Sequence, residues 1–235
     1  MIHKKIAFLL DFDGPLFRND LVRDHLKRIY NISDEQWENY YSLAKKGDDY
    51  VNYSAIFESI AKNCTISEER IWKQVDRAVR EPGFISGNSR GIVEHLKQNG
   101  DVFVITQGHD TYQKIKLAAF GIDTILQPDR IDVIEGSKIE HLIEKVGDLK
   151  AKGYEHIYQF DDRIRPLLQV QNEYPDYVTA VRIKTGKYRS EPDPTDVAHR
   201  DWITAPTMDG ARTILLQKNI ISPEGSLLYS ARMRR

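Results

Sequence analysis

The chain has 235 residues, 40% hydrophobic and 29% charged, enough to bury a sizeable core in one domain or in one domain carrying an insertion. Its 34 Lys and Arg nearly cancel its 35 Asp and Glu, so no global field draws it to nucleic acid or to a membrane surface. Cys64 is the single cysteine, which excludes an internal disulfide and a thiolate zinc cluster and suits a reducing compartment.

The opening "MIHKKIAFLL" runs into carboxylates too early for a signal peptide, and no apolar stretch reaches the roughly 18 to 20 residues that span a bilayer. A cytoplasmic protein with no membrane partner is expected. Lys5 to Leu10 read as a buried strand, and strand alternation sends Asp11 and Asp13 of "DFDGPLF" to one face.

About 90 residues then separate this strand from the next, Asp101 to Thr106, where a crossover helix needs only a dozen or more. The intervening segments, "NDLVRDHLKRIY", "SDEQWENYYSLAKKG", "DYVNYSAIFESIAKN" and "SEERIWKQVDRAVREPG", all have helical spacing. Ser33 with Gln36 and Thr65 with Glu68 are expected capping boxes, and Gly47 and Gly83 stand where helices should stop. Residues 15–85 are therefore expected to form an inserted helical bundle. Trp37, Tyr40 and Tyr41, with Tyr50 and Tyr53 in the next helix, read as its core anchors rather than as a ligand-stacking platform. Cys64 falls at a helix-to-helix joint without an activating histidine.

Beyond Gly87, "SRGIVEHLKQNG", "DTYQKIKLAAFGI" and "SKIEHLIEKVGDLKAKG" are amphipathic helices, the last with Ser137 and Glu140 at its start. Lys114 and Lys116 read as a solvated face of the second. Strands follow at Ile157 to Phe160 and Tyr177 to Ile183, "YRSEPDPTD" reads as a surface loop, and the basic end "SARMRR" as a solvated tail. Short apolar strands alternating with helices predict an α/β fold with a Rossmann-like parallel sheet. The expected division is a core of residues 1–14 and 86–235 with an all-helical domain at 15–85.

Ligands of such sheets bind at the carboxyl ends of the strands. There this chain delivers Asp11 and Asp13, then Thr106, Gln107 and Gly108, then Asp161 and Asp162. Carboxylates gathered at one edge repel and raise one another's pKa unless a cation neutralises them, and hard oxygen donors favour Mg²⁺.

In the order "DFDGPLF", the threonine of "VFVITQG", Lys138 of "GSKIEHL" and "YQFDDR", the chain resembles haloacid dehalogenase-like (HAD) hydrolases over most of its length. The resemblance implies that residues 15–85 are a cap. It implies Asp11 as nucleophile toward a phosphomonoester and Asp13 as the acid and base serving the leaving group and water. Thr106, Gln107 and Lys138 would hold the phosphoryl group. Asp11, Asp13 through its backbone carbonyl, Asp161 and Asp162 would hold the metal. The second acid separates the family's phosphotransfer enzymes from its dehalogenases. Pro15 stands where the family commonly has threonine, and Arg165 and Pro166 stand where a further acid often occurs.

Phe17, Arg18 and Asn19 are candidate substrate contacts in the cap, as is His109, with Asp110 a helix cap. The expected function is a magnesium-dependent phosphatase of a small metabolite. The alternatives are a polynucleotide 3'-phosphatase, which the neutral charge disfavours, a phosphosugar mutase, and a non-enzymatic phospho-accepting module.

Overall fold

The computed structural model describes residues 5–46, 50–81, 83–194 and 202–223. Strand β1 (Ile6–Asp11) leads into helices α1 (Asn19–Tyr30) and α2 (Asp34–Ala44), the short strands β2 (Lys45–Lys46) and β3 (Tyr50–Val51), and helices α3 (Tyr53–Cys64), α4 (Glu68–Ala78) and α5 (Ser89–Asn99). Next come β4 (Asp101–Gln107), α6 (Asp110–Phe120), β5 (Ile131–Ile134), α7 (Lys138–Ala151), β6 (His156–Asp161), α8 (Ile164–Glu173), β7 (Val178–Ile183), β8 (Trp202–Ala205) and α9 (Met208–Gln217).

Six strands form one sheet in the order β5-β4-β1-β6-β7-β8, with every neighbouring pair parallel. Strand alternation builds a core on each face. Ala7 and Leu9 join Phe103, Ile105 and Ile157 on one side, against Leu142, Val146 and Leu149 of α7 and Val170 of α8. Phe8 and Leu10 join Val102, Val104 and Phe160 on the other, against α5, α6 and α9. The inserted helices share that second core through Val22, Trp37, Ile56 and Phe57.

The chain fills one side of β1 with β4 and β5, then crosses to fill the other with β6, β7 and β8. This change of direction puts the topological switch point at the carboxyl end of β1, where open parallel sheets bind ligands.

Several expectations need correction. The inserted segment is not all helical, because Lys45–Lys46 and Tyr50–Val51 pair as an antiparallel ribbon. Tyr50 therefore precedes α3, which starts at Tyr53 behind Asn52, whose side chain accepts from the Ser54 amide. Ser33 does form the full capping box with Gln36. Thr65 does not cap α4; it ends α3 in the left-handed region at φ 54, and Ser67 caps α4 instead. Gly47 and the "SARMRR" tail lie outside the described residues, as does the end of "YRSEPDPTD". No described helix is long and apolar enough to cross a membrane.

Candidate active site

The sheet register assembles the site. Leu10 lies opposite Phe160 and Asp11 opposite Ile105, so the next residues along, Asp161 and Thr106, flank Asp11 at the strand ends. Lys138 opens α7, whose start is fixed by the Ser137 hydroxyl accepting from the Glu140 amide at 3.3 Å. Its ammonium lies 2.7 Å from Asp11 Oδ1 and 2.7 Å from Asp161 Oδ2. The Phe12 amide donates to Asp11 Oδ1 at 2.8 Å, and the Arg163 amide donates to Asp161 Oδ1 at 2.9 Å.

Asp11, Asp161 and Asp162 are all buried, with one ligand oxygen of each within 4.8 Å of the others. Burial, then the charge of Asp161, pushes the Asp11 carboxyl up to about 7. Burial also drives Asp162 well above the usual carboxylate range, reinforced by Asp161 and Asp11. At Asp161 burial pulls upward, but Lys138 and Arg163 outweigh it and hold the group ionised. Burial likewise works against the Lys138 ammonium, and Asp11 and Asp161 more than compensate.

Gly14 passes directly over this cluster. A Cβ there would stand 2.5 Å from Asp162 Oδ2, and its φ of +100 is one that side chains rarely adopt. Thr106 is fully buried, and its hydroxyl has no hydrogen-bond partner among the described residues. Gln107 lines the adjoining cavity, its side-chain amide donating to the Gly136 carbonyl at 2.7 Å.

Asp13 lies apart from the trio. Lys116, fully buried in α6, puts its ammonium 2.5 and 2.7 Å from the two oxygens of Asp13, and the Gln113 amide donates to Oδ2 at 2.9 Å. The solvated-face expectation for Lys116 is therefore corrected. Lys114 does face solvent, paired with Asp110 at 2.8 Å. Asp110 is the first residue of α6 rather than its cap; His109 holds that position.

A cavity of about 350 Å³ opens from Asp11 and Asp13 toward Asn19, Arg23, Trp37, Tyr41 and Tyr53 of the inserted segment. Trp37 thus belongs both to the core and to the cavity wall, whereas Tyr40 is buried and bonded to Asn63. Asn19 reaches the cavity, but three other candidate contacts do not line it. Phe17 is fully buried, stacked on Phe12 with ring centres 5.4 Å apart. Arg18 is drawn aside by Asp20 at 2.9 Å. His109 packs against Trp72 of α4 at 6.0 Å.

Gly186 and Tyr188, which no sequence motif marks, also line the cavity, as does Arg163 of "YQFDDR". Arg163 directly follows the acidic pair. The other two lie in the stretch after β7, where only the rule that strand ends carry sites pointed.

No family model and no curated protein matches the chain. Solved structures do. A HAD-like hydrolase from Burkholderia xenovorans aligns over 93% of this chain and 99% of its own, with TM-score 0.65 and 19% identity. A HAD hydrolase of Bacillus subtilis bound to magnesium aligns over 90% and 99%, with TM-score 0.58 and 13% identity. An L-2-haloacid dehalogenase aligns over 90% and 99%, with TM-score 0.56 and 11% identity. The chain has the fold of the HAD-like hydrolases.

Proposed function

We propose that this protein is a magnesium-dependent phosphatase that hydrolyses a small phosphomonoester through an aspartyl-phosphate on Asp11. The observation that carries this reading is the buried trio Asp11, Asp161 and Asp162, with ligand oxygens within 4.8 Å of one another. An all-oxygen set without histidine or cysteine suits a hard cation, and Gly14 leaves the Asp162 carboxylate uncovered where a Cβ would collide with it. Magnesium would be held by these carboxylates and the Asp13 backbone carbonyl, where it would offset their repulsion and polarise the phosphoryl oxygens.

The protein's own groups supply the rest. Lys138 and the Phe12 amide both engage Oδ1 of Asp11, so Oδ2 is the oxygen offered to phosphorus. As that bond forms, the ester P–O bond breaks in line, and Asp13 gives its proton to the departing oxygen. Asp13 then takes a proton from the water that attacks phosphorus, releasing phosphate and free Asp11. Lys138 stabilises the charge at the phosphoryl group, and the unpartnered Thr106 hydroxyl is available to donate to it. Lys116 and Gln113 hold Asp13 in orientation.

The fold also serves dehalogenases, but the second acid Asp13 and the buried Asp161–Asp162 pair favour phosphorus over a carbon–halogen bond. The near-neutral charge favours a small metabolite over a nucleic acid, and the single thiol suits the cytoplasm. Phosphate release from sugar phosphates, nucleotides and an aryl phosphate tests the proposal. Turnover that stops in EDTA is expected; turnover indifferent to EDTA, or none across the panel, overturns it.

A further inference from the structure

Arg182 lies near the carboxyl end of β7 in the parallel sheet, opposite Asp161 of β6, and is fully buried. A guanidinium there carries a heavy desolvation cost that an aliphatic side chain would avoid. Among the described residues, its polar contacts run to the stretch that follows β7. Nη1 is 2.6 Å from Asp193 Oδ1, Nη2 donates to the Tyr188 carbonyl at 3.0 Å, and Glu191 stands 3.9 Å away. Lys184 adds a second hold on Asp193 at 3.0 Å.

The stretch gripped in this way forms part of the cavity wall. A 3₁₀ turn at Gly186–Tyr188 leaves the sheet at the edge where Asp11 and Asp161 end their strands, and both Gly186 and Tyr188 line the cavity. Gly186 takes φ +58, and a Cβ there would come within 3.6 Å of Asp162 Oδ2, so the backbone runs close over the carboxylate cluster. Arg163 lines the same cavity. A loop that merely closed the surface would not need a buried cation reaching up from the sheet to its tyrosine carbonyl.

We propose that residues 184–193 form the specificity wall of the pocket, in which Tyr188 covers a ring carried by the leaving alcohol, while Arg182 and Asp193 act as the clamp that positions it. This deepens the phosphomonoester proposal and rests on it. An aromatic side chain in the wall of a cavity that Tyr53 and Tyr41 also line selects for a ring-bearing alcohol over a small acyclic one.

The test is calorimetric binding, in magnesium, of phenylphosphonate, which carries a ring and cannot be hydrolysed at phosphorus–carbon, and of inorganic phosphate, which has no leaving group. Tyr188→Ala is expected to weaken phenylphosphonate about fivefold to tenfold and to leave inorganic phosphate unchanged. Tyr188→Phe keeps the ring and should bind like the native protein. Asp193→Asn should weaken phenylphosphonate in the same selective way, and combining it with Tyr188→Ala should add nothing further.

Unchanged phenylphosphonate binding in Tyr188→Ala overturns the wall, as does equal weakening of both ligands or a native protein that does not bind phenylphosphonate. The two proposals fail separately. A native protein that binds both ligands with the predicted selectivity but releases no phosphate from any ester sinks the phosphatase alone, and one that turns esters over with Tyr188→Ala indistinguishable from native sinks the wall alone.

Discussion

Two buried lysines divide the negative charge of this site between them. Lys138 joins Asp11 to Asp161, while Lys116 takes both oxygens of Asp13 and sits over the Tyr112 ring at 4.4 Å. Lys116→Met should therefore leave magnesium affinity, read by calorimetry, near the native value and lower phosphate release about 100-fold, because Asp13 loses its orientation. Native turnover in that variant would show that Lys116 serves packing alone. Gly14→Ala tests the other side of the cluster, with its Cβ 2.5 Å from Asp162 Oδ2 and its φ of +100. It should cost about 1–3 kcal/mol in denaturant unfolding and weaken magnesium binding; unaltered stability and affinity would count against the close approach. Lys138 was legible through the family resemblance of "GSKIEHL" and the Ser137–Glu140 pair that marks the start of α7. Lys116 was legible too, had helical period been given more weight than charge: Tyr112, Gln113, Lys116, Leu117 and Phe120 form one buried stripe on α6.

At the scale of elements, strong patterns survived and weak ones did not. The strands at Lys5, Asp101, Ile157 and Tyr177 were readable as continuous apolar runs, whereas β5 and β8 are four-residue strands at the two edges of the sheet, too short for a pattern. Helix α8 carries Pro166 at its third position, where the missing amide would be unbonded in any case, so a residue that signals a break is tolerated there. The Thr65–Glu68 spacing imitates a capping box, but Thr65 ends the preceding helix. Thr65→Gly should accordingly stabilise the protein by a few tenths to about 1 kcal/mol, and Ser67→Ala should destabilise it by about 1 kcal/mol. Thermal unfolding of the two variants checks both signs; destabilisation by Thr65→Gly would restore the capping role.

Across the whole molecule, the sheet order converts four separated stretches of sequence into one acidic pocket, and that pocket is expected to make stability depend on pH and on a bound cation. Asp11 is pushed up to about 7 in the folded protein, against about 3.9 when unfolded, and Asp162 moves in the same direction. Between those values the folded state binds more protons than the unfolded state, so the metal-free protein should lose stability as pH rises from about 4 to about 7. Magnesium should remove that loss, raising the melting temperature more at pH 7.5 than at pH 5.5. Equal melting temperatures across this range in EDTA would contradict the crowding of the carboxylates. The most direct test of the central claim is phosphate release by Asp11→Asn beside the native protein, with magnesium and an ester that the native protein hydrolyses. Nucleophilic attack by Asp11 predicts a fall of about 10³-fold or more with the fold intact, and turnover at the native rate would contradict it.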